Sequence, residues 1–245
     1  MPSWESRSVA GHRVEVYLPA GVAKPARAVL YLHSHDGETL QRRTAFTEVF
    51  DALQLACVCP QGGRCWWVDR VCPEFDAAQS PERWLLDAVL PYLAQEWGWE
   101  PPRVALLGVG MGGQGALRLG FRHPQRFPVV AGIAPAIEFQ QWHGLGYPLD
   151  GLYQSKEQAR QDSALLWVHP AKQPTHLFFC VDPGDATWWR GCDRLHEKLM
   201  ALGVAHECDL TTRAGGHTWE YFSAQAERAV RFLDTGMQAL SRRLL

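Results

Sequence analysis

Groups that could act together on a carbonyl carbon lie scattered through this 245-residue chain. His217 stands in Ala214-Gly215-Gly216-His217-Thr218-Trp219, and two carboxylates stand in Asp182-Pro183-Gly184-Asp185. An imidazole held by a carboxylate is a general base near neutral pH. Residues 103–120, RVALLGVGMGGQGALRLG, add a glycine-rich turn between an apolar run and a helix-like segment. The N–H groups that open such a helix lack intrahelical partners and can stabilise a developing oxyanion. Acyl transfer would use all three, and it calls for a nucleophile at the turn.

The spacing of the glycines allows more than one interpretation. Residues 104–107 are aliphatic and β-branched, as in a buried strand, and from Gln114 onward Ala116, Leu117, Leu119 and Gly120 suit a helix packed closely on a sheet. Gly108, Gly110 and Gly112 fill the frame of a nucleophile elbow, G-x-S-x-G, with glycine at the central serine position. Gly108, Gly110 and Gly113 also satisfy the dinucleotide fingerprint G-x-G-x-x-G. A close-packed turn without chemistry is the third possibility. The fingerprint fits poorly, because it normally opens the first βαβ unit and here about a hundred residues precede it. The acidic residue due about 20 residues on is replaced by Ile133-Ala134-Pro135, with Glu138 later. Nor would a dinucleotide site use His217 or Asp185.

In open α/β sheets functional groups gather beyond the carboxyl ends of the strands, so the strands decide which residues can meet. Residues 12–18 alternate apolar and polar like a half-exposed strand, whereas 26–33 are nearly continuously apolar, as in a strand buried on both faces. Residues 55–59, 104–107, 127–134, 175–180 and 205–210 read as further strands. Helices are expected over 39–53, 80–97, from 114, over 156–162 and 188–202, and from 218 onward. Ser80-Pro81-Glu82 has the N-cap, first-turn proline and acid of a helix start. Residues 135–174 contain no strand-like run and are expected to form a short lid-like insertion at the strand ends. The alternation predicts a mostly parallel central sheet with helices on both faces, in a single domain over 1–245.

Composition narrows the partners. Hydrophobic residues at 47% and charged residues at 20% are ordinary for a globular protein. A net charge of −2 offers no electrostatic case for nucleic acid or an anionic membrane, and no apolar run approaches the ~18 residues of a membrane span. The N-terminal stretch MPSWESRSVAGHRVEV has no apolar core of a signal peptide, so a cytoplasmic address with reduced thiols is expected. The seven cysteines do not show zinc-site spacing. Cys57 and Cys59 would share one strand face as small core groups, while Cys65 and Cys72 fall in one loop and could meet. His33 and His35 are spaced like metal ligands on a strand end, but no carboxylate–histidine set completes a site, so no metal is expected.

Three segments, GVGMGGQGALRLGFRHPQRFP, VDPGDATWWRG and RAGGHTW, resemble the esterase branch of the α/β-hydrolases, the group with esterase D-like and feruloyl esterase-like enzymes. The resemblance spans about residues 27–235, and the order elbow, acid, histidine is that of the fold. It implies an α/β-hydrolase fold and hydrolysis of carboxylic esters without a cofactor. It makes His217 the general base and Asp185, in a turn like the family's G-x-x-D, the orienting acid, with Asp182 in reserve. The N–H groups of Met111 and His35 would form the oxyanion hole. Gly110 is the departure, since the family carries its serine there. Loss of a triad serine costs about 10⁶-fold in kcat in a well-studied protease, so the chain is expected to be inactive or strongly impaired. A non-catalytic pseudo-hydrolase that binds a ligand in the same pocket is the alternative.

Eleven tryptophans are an unusual number. Trp66, Trp67, Trp142, Trp188 and Trp219 fall in strand-end loops or at the starts of the following helices, which suggests an aromatic-walled pocket for a small ester with a planar or sugar ring. Arg118, Arg122 and Arg126 are expected to be solvated or ion-paired at the surface.

Overall fold

The computed structural model describes residues 3–243. Eight strands form one sheet: β1 Ser3–Val9, β2 His12–Leu18, β3 Ala28–Leu32, β4 Ala56–Pro60, β5 Val104–Val109, β6 Val129–Ile133, β7 His176–Cys180 and β8 Glu207–Asp209. Their order is β1-β2-β4-β3-β5-β6-β7-β8. The β1–β2 and β2–β4 pairs are antiparallel and every other pair is parallel. All residues of β3, β4, β5 and β6 are buried, as their continuous apolar runs require. Strand β1 carries no such pattern, because it is an edge strand whose residues are mostly exposed. It is held by a two-residue turn at Ala10-Gly11, both with positive φ, the hairpin geometry that matches strand twist.

Helices cover both faces. Consecutive residues of β6 face opposite ways, and each meets a glycine of a different helix. A Cβ at Gly120 would lie 2.7 Å from Val130 Cγ2, and one at Gly236 would lie 2.8 Å from Val129 Cγ1. The helix Met111–Arg122 thus presses on one face and Ala226–Arg242 on the other. Thr44–Leu53, Pro81–Trp84 continuing through a π turn at Leu85–Val89 into Leu90–Trp97, and Trp189–Ala201 complete the layers. The last helical stretch breaks at Gln225, leaving Trp219–Ala224 as a separate short helix. Among the described residues no helix is long and apolar enough to cross a membrane. The seven cysteines are free thiols, Cys65 and Cys72 included.

Between β6 and β7 the insertion forms four short helices, Phe139–Trp142, Leu149–Leu152, Lys156–Gln161 and Ala164–Trp167. Only the third was legible as a helix, since single turns are too short to show a period. Arg118 fastens this insertion, and its place corrects the expectation of a surface residue: its side chain is 1% exposed. It pairs with Glu82, also 1% exposed, and its Nε and Nη2 donate to Asp162 Oδ1 at 2.9 and 2.6 Å. Arg122 Nη1 and His123 Nε2 reach Glu82 Oε1 at 2.6 and 2.8 Å, and Tyr153 donates to Asp162 Oδ2 at 2.7 Å. Arg126 is exposed, as expected.

Burial opposes ionisation of Glu82, but His123, Arg118 and Arg122 outweigh it and bring its pKa down from 4.5 to about 2. A carboxylate whose folded pKa is depressed stabilises fully above its unfolded value and loses that contribution as pH falls through the folded one. Glu82→Gln is therefore expected to cost ~3–5 kcal/mol at neutral pH by leaving Arg118 buried without its partner. The variant should also show a shallower loss of stability than the parent between pH 4.5 and about 2. Urea unfolding at stepped pH reads both, and superimposable pH profiles would refute the linkage.

Candidate active site

Strand β5 runs into Gly110, whose φ of +52° and ψ of −115° are costly for any residue with a Cβ, and Met111 then opens the helix. The helix starts closer to β3 than a side chain would permit: a Cβ at Gly112 would stand 1.9 Å from Leu32 O and 2.6 Å from His33 O. The turn is tied to the neighbouring chain, since Gly110 N–H donates to Ile133 O at 3.0 Å and Gly110 O accepts from Ala136 N–H at 3.0 Å. The end of β3 thereby fills the place over Gly112 that a pyrophosphate would need, so the glycines serve packing and a dinucleotide is not favoured.

Asp185 and His217, 32 residues apart in sequence, meet here. His217 Nδ1 lies 2.8 Å from Asp185 Oδ2. An ionised carboxylate can only accept, so the proton sits on Nδ1 and Nε2 carries the free lone pair. Asp185 Oδ1 accepts from the N–H groups of Thr187 and Trp188 at 3.1 and 3.0 Å, which fixes the carboxylate at the start of the helix Trp189–Ala201. Asp182 does something different. Its Oδ1 accepts from Gly184 N–H at 2.6 Å, and its Oδ2 from Ala214 and Gly216 N–H at 2.6 and 2.9 Å. Burial pushes its pKa up, but these three amides prevail and hold the carboxyl below the usual range. Asp182 thus clamps the loop that carries His217.

A Cβ built at Gly110 would stand 3.2 Å from His217 Nε2. The same point lies 2.3 Å from Ser34 Oγ, so a hydroxyl from the loop after β3 occupies the place of the missing side chain. Ser34 is itself held. His33 Nδ1–H donates to Ser34 O at 2.7 Å, Gly37 N–H donates to the same oxygen at 3.0 Å, and Gly62 N–H donates to His33 Nε2 at 3.0 Å. Burial pushes the His33 pKa down against the bond to Ser34, leaving a neutral ring with both nitrogens engaged. Neither is available to a metal.

The predicted aromatic wall is largely a filled cluster. Trp66, 1% exposed, stacks on Phe139 at 5.1 Å, and Trp188 is 3% exposed. Trp67 is fully buried, with its indole N–H donating to His33 O at 3.1 Å, so it supports the site from beneath instead of lining it. The partly exposed Trp142 stacks on Tyr147 at 4.4 Å, and both meet the His35 ring edge-on. Burial and then Arg64 push the His35 pKa down against Glu74 and Asp36, and its Nε2 is buried without a partner. Trp219 lies apart from this cluster; it donates to Asp36 Oδ2 at 3.0 Å beneath the guanidinium of Arg43. One other group, His196, His206 and Cys208 at β8 and the helix over it, brings three possible metal-binding atoms within 4.8 Å of one another. His196 Nδ1 lies 2.8 Å from His206 Nε2 and 3.3 Å from Cys208 Sγ, so the three groups are linked by hydrogen bonds through His196.

Ser34 and the clamping by Asp182 were not legible in sequence. The only signal for Ser34 was a hydroxyl one residue past His33 at a strand end, and its distance from residue 110 is a tertiary fact. Gly110→Ala is expected to cost ~2–4 kcal/mol, from the positive φ and the overlap with Ser34. In a Ser34→Ala background the same substitution should cost at least ~1 kcal/mol less, because the overlapping oxygen is gone. A double-mutant cycle by urea unfolding measures this, and simple additivity would count against the overlap.

A family model described as "Putative esterase" matches residues 10–233. A comparison with curated proteins finds no match. Among solved structures, a ferulic acid esterase is similar with a TM-score of 0.76 at 18% identity, covering 96% of this chain and 98% of that one. A fluorophosphonate-binding serine hydrolase of Staphylococcus aureus has a TM-score of 0.76 at 17% identity, covering 95% and 98%. An S-formylglutathione hydrolase from Agrobacterium tumefaciens has a TM-score of 0.75 at 15% identity, covering 96% and 94%. At these identities the structural likeness speaks for the fold, an α/β-hydrolase sheet with helices on both faces. The family match covers most of the chain, and together with the eight-stranded sheet it places this protein in the esterase family of α/β-hydrolases.

Proposed function

We propose that the site hydrolyses carboxylic esters of small molecules, with His217 as general base and Asp185 as the carboxylate that orients it. The observation that carries this is one alignment. Asp185 Oδ2 accepts a hydrogen bond from His217 Nδ1–H at 2.8 Å, while Nε2 lies 3.2 Å from the point where a side chain at residue 110 would begin. The base therefore faces the position from which an α/β-hydrolase attacks its substrate. Met111 N–H, the first of its helix and without an intrahelical carbonyl to bond, and His35 N–H beyond β3 are the proposed oxyanion donors.

Residue 110 contributes no oxygen, so attack must come from another group beside Nε2. A water there would be slow: without its serine, a related triad retains only ~10³–10⁴ over the uncatalysed rate. The partly exposed Trp142 and Tyr147 favour an ester with a planar or sugar ring, in keeping with the ferulic acid esterase among the similar structures. The free thiols of the chain favour a reducing, cytoplasmic setting.

The test is hydrolysis of p-nitrophenyl acetate and butyrate by the parent and by His217→Ala. Loss of the base is expected to lower kcat/KM by ~10²–10⁴-fold. Equal rates in the two proteins would sink the enzyme assignment and favour a ligand-binding pseudo-hydrolase.

A further inference from the structure

Resting on that reading of the site, we propose that Ser34 supplies the nucleophile that residue 110 lacks. Three observations converge on it. Ser34 Oγ lies 2.3 Å from the point where a Cβ at 110 would stand, and His217 Nε2 lies 3.2 Å from the same point. A hydroxyl and the only free lone pair of the base thus flank one small volume. Ser34 is also pinned from behind, since its carbonyl takes hydrogen bonds from His33 Nδ1–H at 2.7 Å and Gly37 N–H at 3.0 Å. Those bonds fix the backbone from which the hydroxyl projects, and burial of the residue keeps it inside the site rather than on an open loop. Finally, the space beside Nε2 where a side chain at 110 would begin is already taken, and the hydroxyl that takes it comes from the loop after β3.

The chemistry balances with groups already present. His217 Nε2 takes the Ser34 Oγ proton as Oγ bonds to the ester carbonyl carbon, and the carbonyl becomes an oxyanion. Collapse of that intermediate breaks the carbon–alkoxy bond, and the leaving alkoxide takes the proton from His217. Water then attacks the acyl–Ser34 ester with His217 again as base, releasing the carboxylic acid and restoring the Ser34 hydroxyl. His35, proposed above as an oxyanion donor, is the residue directly after this nucleophile, the position whose N–H serves that purpose in a serine elbow.

Diisopropyl fluorophosphate tests the assignment, because an activated serine displaces its fluoride to leave a stable phosphoryl–serine ester that peptide mass spectrometry locates. The expected result is one adduct, on Ser34, absent from a folded Ser34→Ala variant. In His217→Ala, whose fold is checked by circular dichroism, labelling should be ~10²–10⁴-fold slower. No adduct, an adduct elsewhere with Ser34 unmodified, or labelling of Ser34 at the parent rate in His217→Ala would each overturn the proposal. Hydrolysis of p-nitrophenyl butyrate by the parent separates this from the underlying reading. If the parent takes no label yet hydrolyses the ester faster than His217→Ala, Ser34 is refuted and the hydrolase assignment stands. If the parent takes no label and hydrolyses no faster than His217→Ala, both fall.

Discussion

The carbonyl oxygen of Leu32 lies 1.9 Å from the point where any residue but glycine at 112 would carry its Cβ. The end of β3 and the first turn of the helix Met111–Arg122 are therefore in backbone contact, with no side chain between them. One side of the site follows from that approach. It brings the loop after β3 against the turn after β5, and so places Ser34 beside Gly110. It also brings the start of the helix, whose first N–H groups have no intrahelical carbonyl to bond, up to the same small space.

A contact that close holds only if the helix cannot slide. At its near end Gly110 is bonded to β6 through Ile133 and to the start of the insertion through Ala136. Further along, Arg118 is locked between Glu82 and Asp162, and Gln114 Oε1 accepts from Ala164 N–H at 2.8 Å. Buried ion pairs of this kind contribute little net stability, but they strongly penalise any arrangement that leaves one partner unpaired. Their effect here is positional: they tie the insertion to the helix Met111–Arg122 behind the turn at Gly110.

On the opposite side, two aspartates three residues apart divide the work. Asp185 spends one oxygen on backbone amides and offers the other to His217, while Asp182 spends both on amides of its own turn and of the histidine loop. His217 is thus held twice, through its ring by Asp185 and through the backbone of its loop by Asp182. Such support is what keeps an imidazole in one tautomer and one orientation through a reaction cycle.

Much of this protein is determined by local pattern. The buried strands β3 to β7 announce themselves as apolar runs, and the order of elbow, acid and histidine along the chain already selects the α/β-hydrolase arrangement. Edge strand β1 escaped because an exposed strand needs no apolar signature, and the single-turn helices of the insertion are shorter than any period that could reveal them. The resemblance favoured Asp185 with Asp182 in reserve, yet only the folded chain separates a carboxylate that meets an imidazole from one that meets amides. The same holds for Arg118, charged and therefore expected outside, which the fold buries with partners 36 and 44 residues away. Sequence alone also established that residue 110 has no hydroxyl. That another hydroxyl stands in its place is a matter of distance between two loops, and no spacing along the chain encodes a contact made by the ends of different strands.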